Sequence, residues 1–253
     1  MSAPVWSLDY AMSPVDTAHS DLGLLAGSFV TGMVDSVTFL TTGTFVGMQT
    51  GNTLLLGLSV SGIMSERHQP YAYASTLISL ASFWLGSFLG QFTARKTAPL
   101  RRITVVLFHL VQAALIFLAA ALSQAKIAPS TTDEGNLSHR NIFVDLAPLG
   151  IQSGIQVASS RVLGFNEIPV SVLTSAYADI FGDKNLLKFD NPKRNRRVSS
   201  AILLFLGAMC ASWIMQARNG VAIALWTGAG VKTLAGLLMW FVVRNKKQVE
   251  SDK

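Results

Sequence analysis

The stretch Gly32–Leu58, GMVDSVTFLTTGTFVGMQTGNTLLLGL, decides how this chain folds. It is apolar enough for a bilayer, yet it holds a carboxylate, Asp35, and a polar knot, Gln49-Thr50-Gly51-Asn52. An ionised side chain at the bilayer centre costs about 3 kcal/mol on insertion scales, so Asp35 has to face a polar interior. The glycine-punctuated run Phe45-Val46-Gly47-Met48 predicts a broken element, extended first and helical after, with Thr50 capping a helix that begins near Asn52. Hydrophobic elements on either side predict that the rest of the chain wraps this segment.

Composition agrees. The 253 residues are 50% hydrophobic and only 13% charged, with a mean hydropathy of +0.43. Soluble domains carry about 25% charged residues, so the class is all-α, a polytopic transmembrane helical bundle. Spans of about 20 residues leave room for six to eight. The net charge of +6 does not indicate nucleic acid, because the basic residues cluster beside apolar segments, as the positive-inside rule expects. Residues 1–20 contain no Lys or Arg, which argues against a signal peptide and for a loose tail. The single cysteine, Cys210, lies in an apolar run and reads as a small hydrophobe.

Outward from the opening stretch, eight segments are predicted, at 21–42, 45–64, 71–94, 103–124, 142–163, 168–182, 198–217 and 221–243. Segments two and six are short or broken. In the first segment Gly23, Gly27, Thr31 and Asp35 form one helical stripe, and small residues let membrane helices approach closely. Residues 21–245 read as one membrane domain of two similar halves, 21–124 and 142–243, followed by a basic tail, 246–253. The repeat pairs Gly32 with Gly150, Asp35 with Ser153 and Thr50 with Thr174. If segments two and six dip in and return, six crossings put Arg95, Lys96, Arg101, Arg102, Arg161, the six basic residues of 184–197 and the basic tail on one side. Only Arg67, Lys126, Arg140 and Arg218 then fall on the other. This distribution predicts both termini in the cytoplasm and 125–141 outside, with the plasma membrane as the expected location. Three crossings per half invert the halves, the layout of many secondary transporters.

The motifs Gly32-Met33-Val34-Asp35-Ser36-Val37-Thr38-Phe39, Phe45 to Asn52 and Gly150-Ile151-Gln152-Ser153 resemble the YoaK-like family of bacterial and fungal multi-pass membrane proteins, whose domain has no known function. The resemblance covers about 20–245 and implies a helical multi-pass fold without naming a substrate. The second half departs from it, with Thr174-Ser175-Ala176 and Ser153 where the family pattern is similar to Thr-Gly-Thr and Asn. By architecture alone, the broken-segment layout is similar to nucleobase and sulfate transporters.

The candidate substrate or coupling residues are Asp35, Gln49, Thr50, Gly51, Asn52, Gln152, Ser153, Thr174, His109 and Lys232. Lys232 lies between Gly228 and Gly236 on a small-residue stripe and is the expected partner of Asp35. His109 and Gln112 share a face and suit a proton relay. Asp145, Arg161, Glu167 and Asp179 are expected at the membrane interface. Asn136 sits in a glycosylation pattern. No catalytic or metal-ligand motif is present, so neither an enzyme nor a cofactor is expected. The expected partners are the lipid bilayer, an unidentified small solute and, through the small-residue stripes, a second copy of the chain. Two readings stand: a secondary transporter or permease coupled to protons through Asp35, and a non-transporting scaffold whose polar residues only fasten helices. In the first, the two broken segments meet at mid-membrane.

Overall fold

The computed structural model describes residues 7–16, 19–62, 72–96, 101–128, 139–168 and 172–243, with side chains from 144 onward in the fifth of these stretches. They form a polytopic bundle of helices: α1 Leu8–Ala11, α2 Asp21–Thr42, α3 Gln49–Val60, α4 Ala72–Lys96, α5 Arg102–Gln124, α6 His139–Val162, α7 Leu173–Phe181, α8 Pro192–Ile214 and α9 Gly220–Val242. Among the described residues, α2, α4, α5, α8 and α9 are long and apolar enough to cross a membrane. Helix α6 is as long but polar, and the reason is its position. It packs on α4, α5 and α2, and its polar residues Asp145, Gln152, Ser153, Gln156, Ser159 and Ser160 are buried. Three apolar helices, α2, α4 and α5, keep those polar residues from lipid.

The neighbours follow in order: α4 on α6, α6 on α5, α5 on α9, α9 on α2, and α2 on α8. Helices α2 and α6 also touch across the middle, α3 flanks α4, and α7 flanks α8. Two crossings bring backbone onto backbone. A methyl group at Gly32 would lie 2.0 Å from the Leu204 carbonyl oxygen, and one at Gly207 would lie 1.9 Å from that of Phe29. The α4–α6 crossing repeats this: Gly86 faces the Ile151 carbonyl at 2.1 Å and Gly154 that of Phe83 at 2.2 Å. The correspondence pairs Gly32 with Gly154, one helical turn beyond the Gly150 pairing read from the sequence.

The elements begin and end where local chemistry dictates. Gly43, with φ 68°, closes α2 in the left-handed conformation while its N–H donates to the Phe39 carbonyl. Asn191 caps α8 by accepting from the Arg194 N–H at 3.2 Å, with Pro192 as its first residue. The basic run Lys193–Arg197 is therefore the first turns of a helix and not a loop. Residues 7–16, expected to be a loose tail, fold back on the bundle. Tyr10 donates to the Trp240 carbonyl and lies under the Arg102 guanidinium, and Pro14 bridges to Arg101. Most basic residues of the described chain, Lys126, Arg218 and the buried Lys232 apart, gather at the face where α2 begins. There Arg196 pairs with both Asp21 (2.8 Å) and Glu167 (2.9 Å), and Arg197 with Asp179 (2.9 Å).

Gly207→Ala is expected to lower stability by about 2 kcal/mol or more, because backbone has to move to admit the methyl. Gly230→Ala, with nothing within 4 Å of its methyl, should raise stability by about 0.5–1 kcal/mol through helix propensity. Thermal unfolding in detergent measures both. For topology, a cysteine at Asp190 in a Cys210→Ala background should react with an impermeant thiol reagent only after the cells are opened. Labelling of intact cells would reverse the inside–outside assignment.

Candidate functional site

A helix break inside a membrane frees backbone groups that water cannot reach, and each costs several kcal/mol if left alone. The break between α2 and α3 is satisfied by side chains. Oδ1 of Asp35 accepts from the N–H groups of Val46 (2.8 Å) and Gly47 (2.7 Å). Asn52 accepts from the Phe45 N–H at 3.1 Å and donates to the Phe45 carbonyl at 2.6 Å. Ser79 of α4 donates to the same carbonyl at 2.6 Å, and Gln49 donates to the Val46 carbonyl at 2.7 Å. Thr44 donates to Ser75 at 2.8 Å. Four polar side chains from three helices, Asp35 of α2, Gln49 and Asn52 of α3 and Ser79 of α4, thus hold one turn. Asp35 is 2% exposed, and its Oδ2 has no hydrogen-bond partner among the described residues. Asp35 also lines a cavity of about 240 Å³ with Ser36, Phe45, Met48 and, from α8, Leu204 and Ser212.

A second cluster lies across the middle of the bundle. Lys232 of α9 is buried and donates to Oε1 of Gln156, whose Nε2 donates to Thr31 of α2 at 3.1 Å. Gly27 leaves room for both side chains, and Gly23, one turn below, leaves room for the His109 ring. His109 Nδ1 lies 2.9 Å from the Val105 carbonyl oxygen. Gln112 donates to the Phe108 carbonyl at 2.7 Å and to Ser159 at 3.5 Å. This polar layer is sealed on both sides. One apolar cluster holds Met33, Val37, Ile116, Leu146, Leu149 and Leu225, and the other holds Leu24, Val105, Val106, Leu163 and Met239.

The predicted residues therefore separate into two places. Asp35, Gln49 and Asn52 meet at the break; His109 and Lys232 meet at the layer; Gln152 and Ser153 are buried on α6 beside it, with Gln152 Oε1 lacking a partner among the described residues. Gly51 sits on the Phe45 ring. Lys232 is not the partner of Asp35. It lies against Gly27, two helical turns or about 12 Å along α2 from Asp35, and no ion pair among the described residues includes either. Thr50 and Thr174 do not cap: α3 starts at Gln49 and α7 at Leu173, neither helix has a side-chain cap bond, and both threonines are exposed. The broken segments do not face each other, because α3 packs on α4 and α7 on α8. Asp145, expected at the interface, is buried at 1% exposure. Asn136 lies outside the described residues. Gln156, Thr31 and Ser159 were not among the candidates. Thr31 is on the Asp35 stripe, so the spacing held the signal, but nothing in the sequence paired it with Gln156.

The family described as "Protein of unknown function (DUF1275)" matches residues 23–238, in keeping with the resemblance read from the motifs. No curated protein and no solved structure matches the chain.

Asp35→Asn keeps an acceptor for the Val46 and Gly47 N–H groups and is expected to lose about 1 kcal/mol of stability; Asp35→Ala orphans both and should lose about 3 kcal/mol. Unfolding of the two variants in detergent gives the difference. Equal stability would mean that the carboxylate does not hold the turn.

Proposed function

The chain belongs to the DUF1275 family, and from that footing we propose that it is a secondary transporter for a small solute, with Asp35 as the proton-coupling group and the mid-bundle layer around Lys232 as the solute site. The observation that carries the reading is Lys232: it is 1% exposed, held by the neutral amide of Gln156, and in no ion pair among the described residues. A lysine buried without a counter-charge costs several kcal/mol to keep charged. A scaffold would gain by pairing or deleting it. A transporter uses it when the layer opens, and a lone ammonium between amide and hydroxyl groups complements an anionic solute. The apolar clusters above and below then act as the two seals of alternating access. The two matched glycine crossings fit two inverted halves moving against each other.

Coupling follows from the bonds at Asp35. Its carboxylate holds the Val46 and Gly47 N–H groups, and charge-assisted hydrogen bonds of this kind are roughly twice as strong as neutral ones. A proton arriving at Asp35 weakens the hold on the α2–α3 turn and so changes how α3 rests on α2 and α4. The two short helices α3 and α7 do not meet at one cavity, and the proposed solute site is the layer between α2, α5, α6 and α9.

The scaffold reading keeps one observation in its favour. Gln49, Asn52 and Ser79 are spent on fastening backbone, which leaves them nothing for a ligand.

In proteoliposomes with a trapped pH indicator, a panel of small anionic and neutral solutes should contain one that drives proton entry into wild-type vesicles. Asp35→Asn should abolish that proton flux while solute exchange continues, and Lys232→Met should abolish solute movement. If no solute moves protons and Lys232→Met simply stabilises the bundle, the scaffold reading replaces this one.

A further inference from the structure

Helices α4 and α5 are consecutive, yet each packs on α6 and they splay from one another. The space between them is a groove of about 690 Å³. Its floor is Phe108 and Ile155, and its walls include Leu89, Leu107 and Val111, all three more than 40% exposed. At one end stand Lys96 and Arg101. Neither is in an ion pair among the described residues: Lys96 lies 5.9 Å from the Phe92 ring centroid, and Arg101 points a guanidinium nitrogen at the Met12 sulfur, 3.9 Å away. No carboxylate lines the groove.

The dimensions match one leaflet. From Leu89 to Lys96, and from Val111 to Arg101, the helices rise about 10–15 Å, against a hydrocarbon half-thickness of about 15 Å. The groove is thus apolar over the depth of an acyl chain and cationic where a headgroup phosphate lies. Arg95, exposed beside Lys96, adds a further basic residue at this end of α4. The cavity beside Asp35 has no basic residue in its lining to hold such a headgroup.

We propose that the α4–α5 groove is a binding site for one anionic phospholipid, with an acyl chain along Leu107 and Val111 and its phosphate held by Lys96 and Arg101. The site stands apart from Asp35 and Lys232 and does not rest on the transport reading.

The test is native mass spectrometry of the full chain in mild detergent, titrated with phosphatidylglycerol and with phosphatidylcholine of the same chains. Wild-type protein should take up one phosphatidylglycerol in preference to phosphatidylcholine. Lys96→Gln with Arg101→Gln should lower that preference roughly 30-fold, about tenfold or less for each charge near an anionic headgroup. Lys96→Arg with Arg101→Lys should retain it. Val111→Trp, which fills the groove and leaves the charges, should weaken both lipids. Equal uptake of the two lipids by wild-type protein, or an unchanged preference in the Gln variant, would overturn the site. So would full displacement of the lipid by inorganic phosphate, which would reduce it to a surface anion contact. Both basic positions are at the surface, and an unchanged unfolding temperature verifies that the Gln variant keeps its fold.

Discussion

In hydrocarbon a polar group has no solvent to fall back on, so it is answered by protein or left unanswered at a cost of several kcal/mol. Most of this bundle follows from that constraint. It draws polar α6 in among α2, α4 and α5, where its polar residues are buried. It makes the α2–α3 turn recruit Asp35, Gln49, Asn52 and Ser79. It also makes the exceptions informative. Oδ2 of Asp35 and Oε1 of Gln152 are buried acceptors without a partner among the described residues, and Lys232 is a buried amine that donates to an amide and is in no ion pair among the described residues.

The bundle itself was legible in the sequence because the solvent writes it there. Long apolar runs mark α2, α4, α5 and α9 to within a few residues, whereas α8 begins at Pro192, six residues before the predicted 198, because Asn191 and Pro192 start the helix ahead of its apolar run. The glycine stripe of α2 foretold a close crossing. It could not say with which helix, because Leu204 and Gly207 are far away in the chain and their fit to Gly32 and Phe29 is a property of two backbones together.

The candidate site was legible only in part. Asp35 beside the Gln49–Asn52 knot follows from a short connection, so proximity in sequence became proximity in space. The pairing of Asp35 with Lys232 failed for the opposite reason: two charges on small-residue stripes need the same depth as well as inward-facing sides, and depth depends on helix tilt and offset. Reading Thr50 as a cap placed the start of α3 too late, near Asn52, whereas α3 begins at Gln49. Asp145 looked interfacial because it is near the start of a segment, but α6 begins at His139 and carries Asp145 two turns inside.

The Arg196 junction has a mechanical consequence. One guanidinium grips Asp21 at the start of α2 and Glu167 in the α6–α7 connection while itself belonging to α8, and its plane rests over the Phe165 ring at 4.7 Å. Three elements are riveted at a single point on one end of the bundle. The opposite end, where α2 gives way to the Asp35-held turn, has no comparable ion pair among the described residues. A lever fixed at one end swings at the other, so parting α2 from α6 would yield the widest gap at the turn, and the junction would serve as its fulcrum.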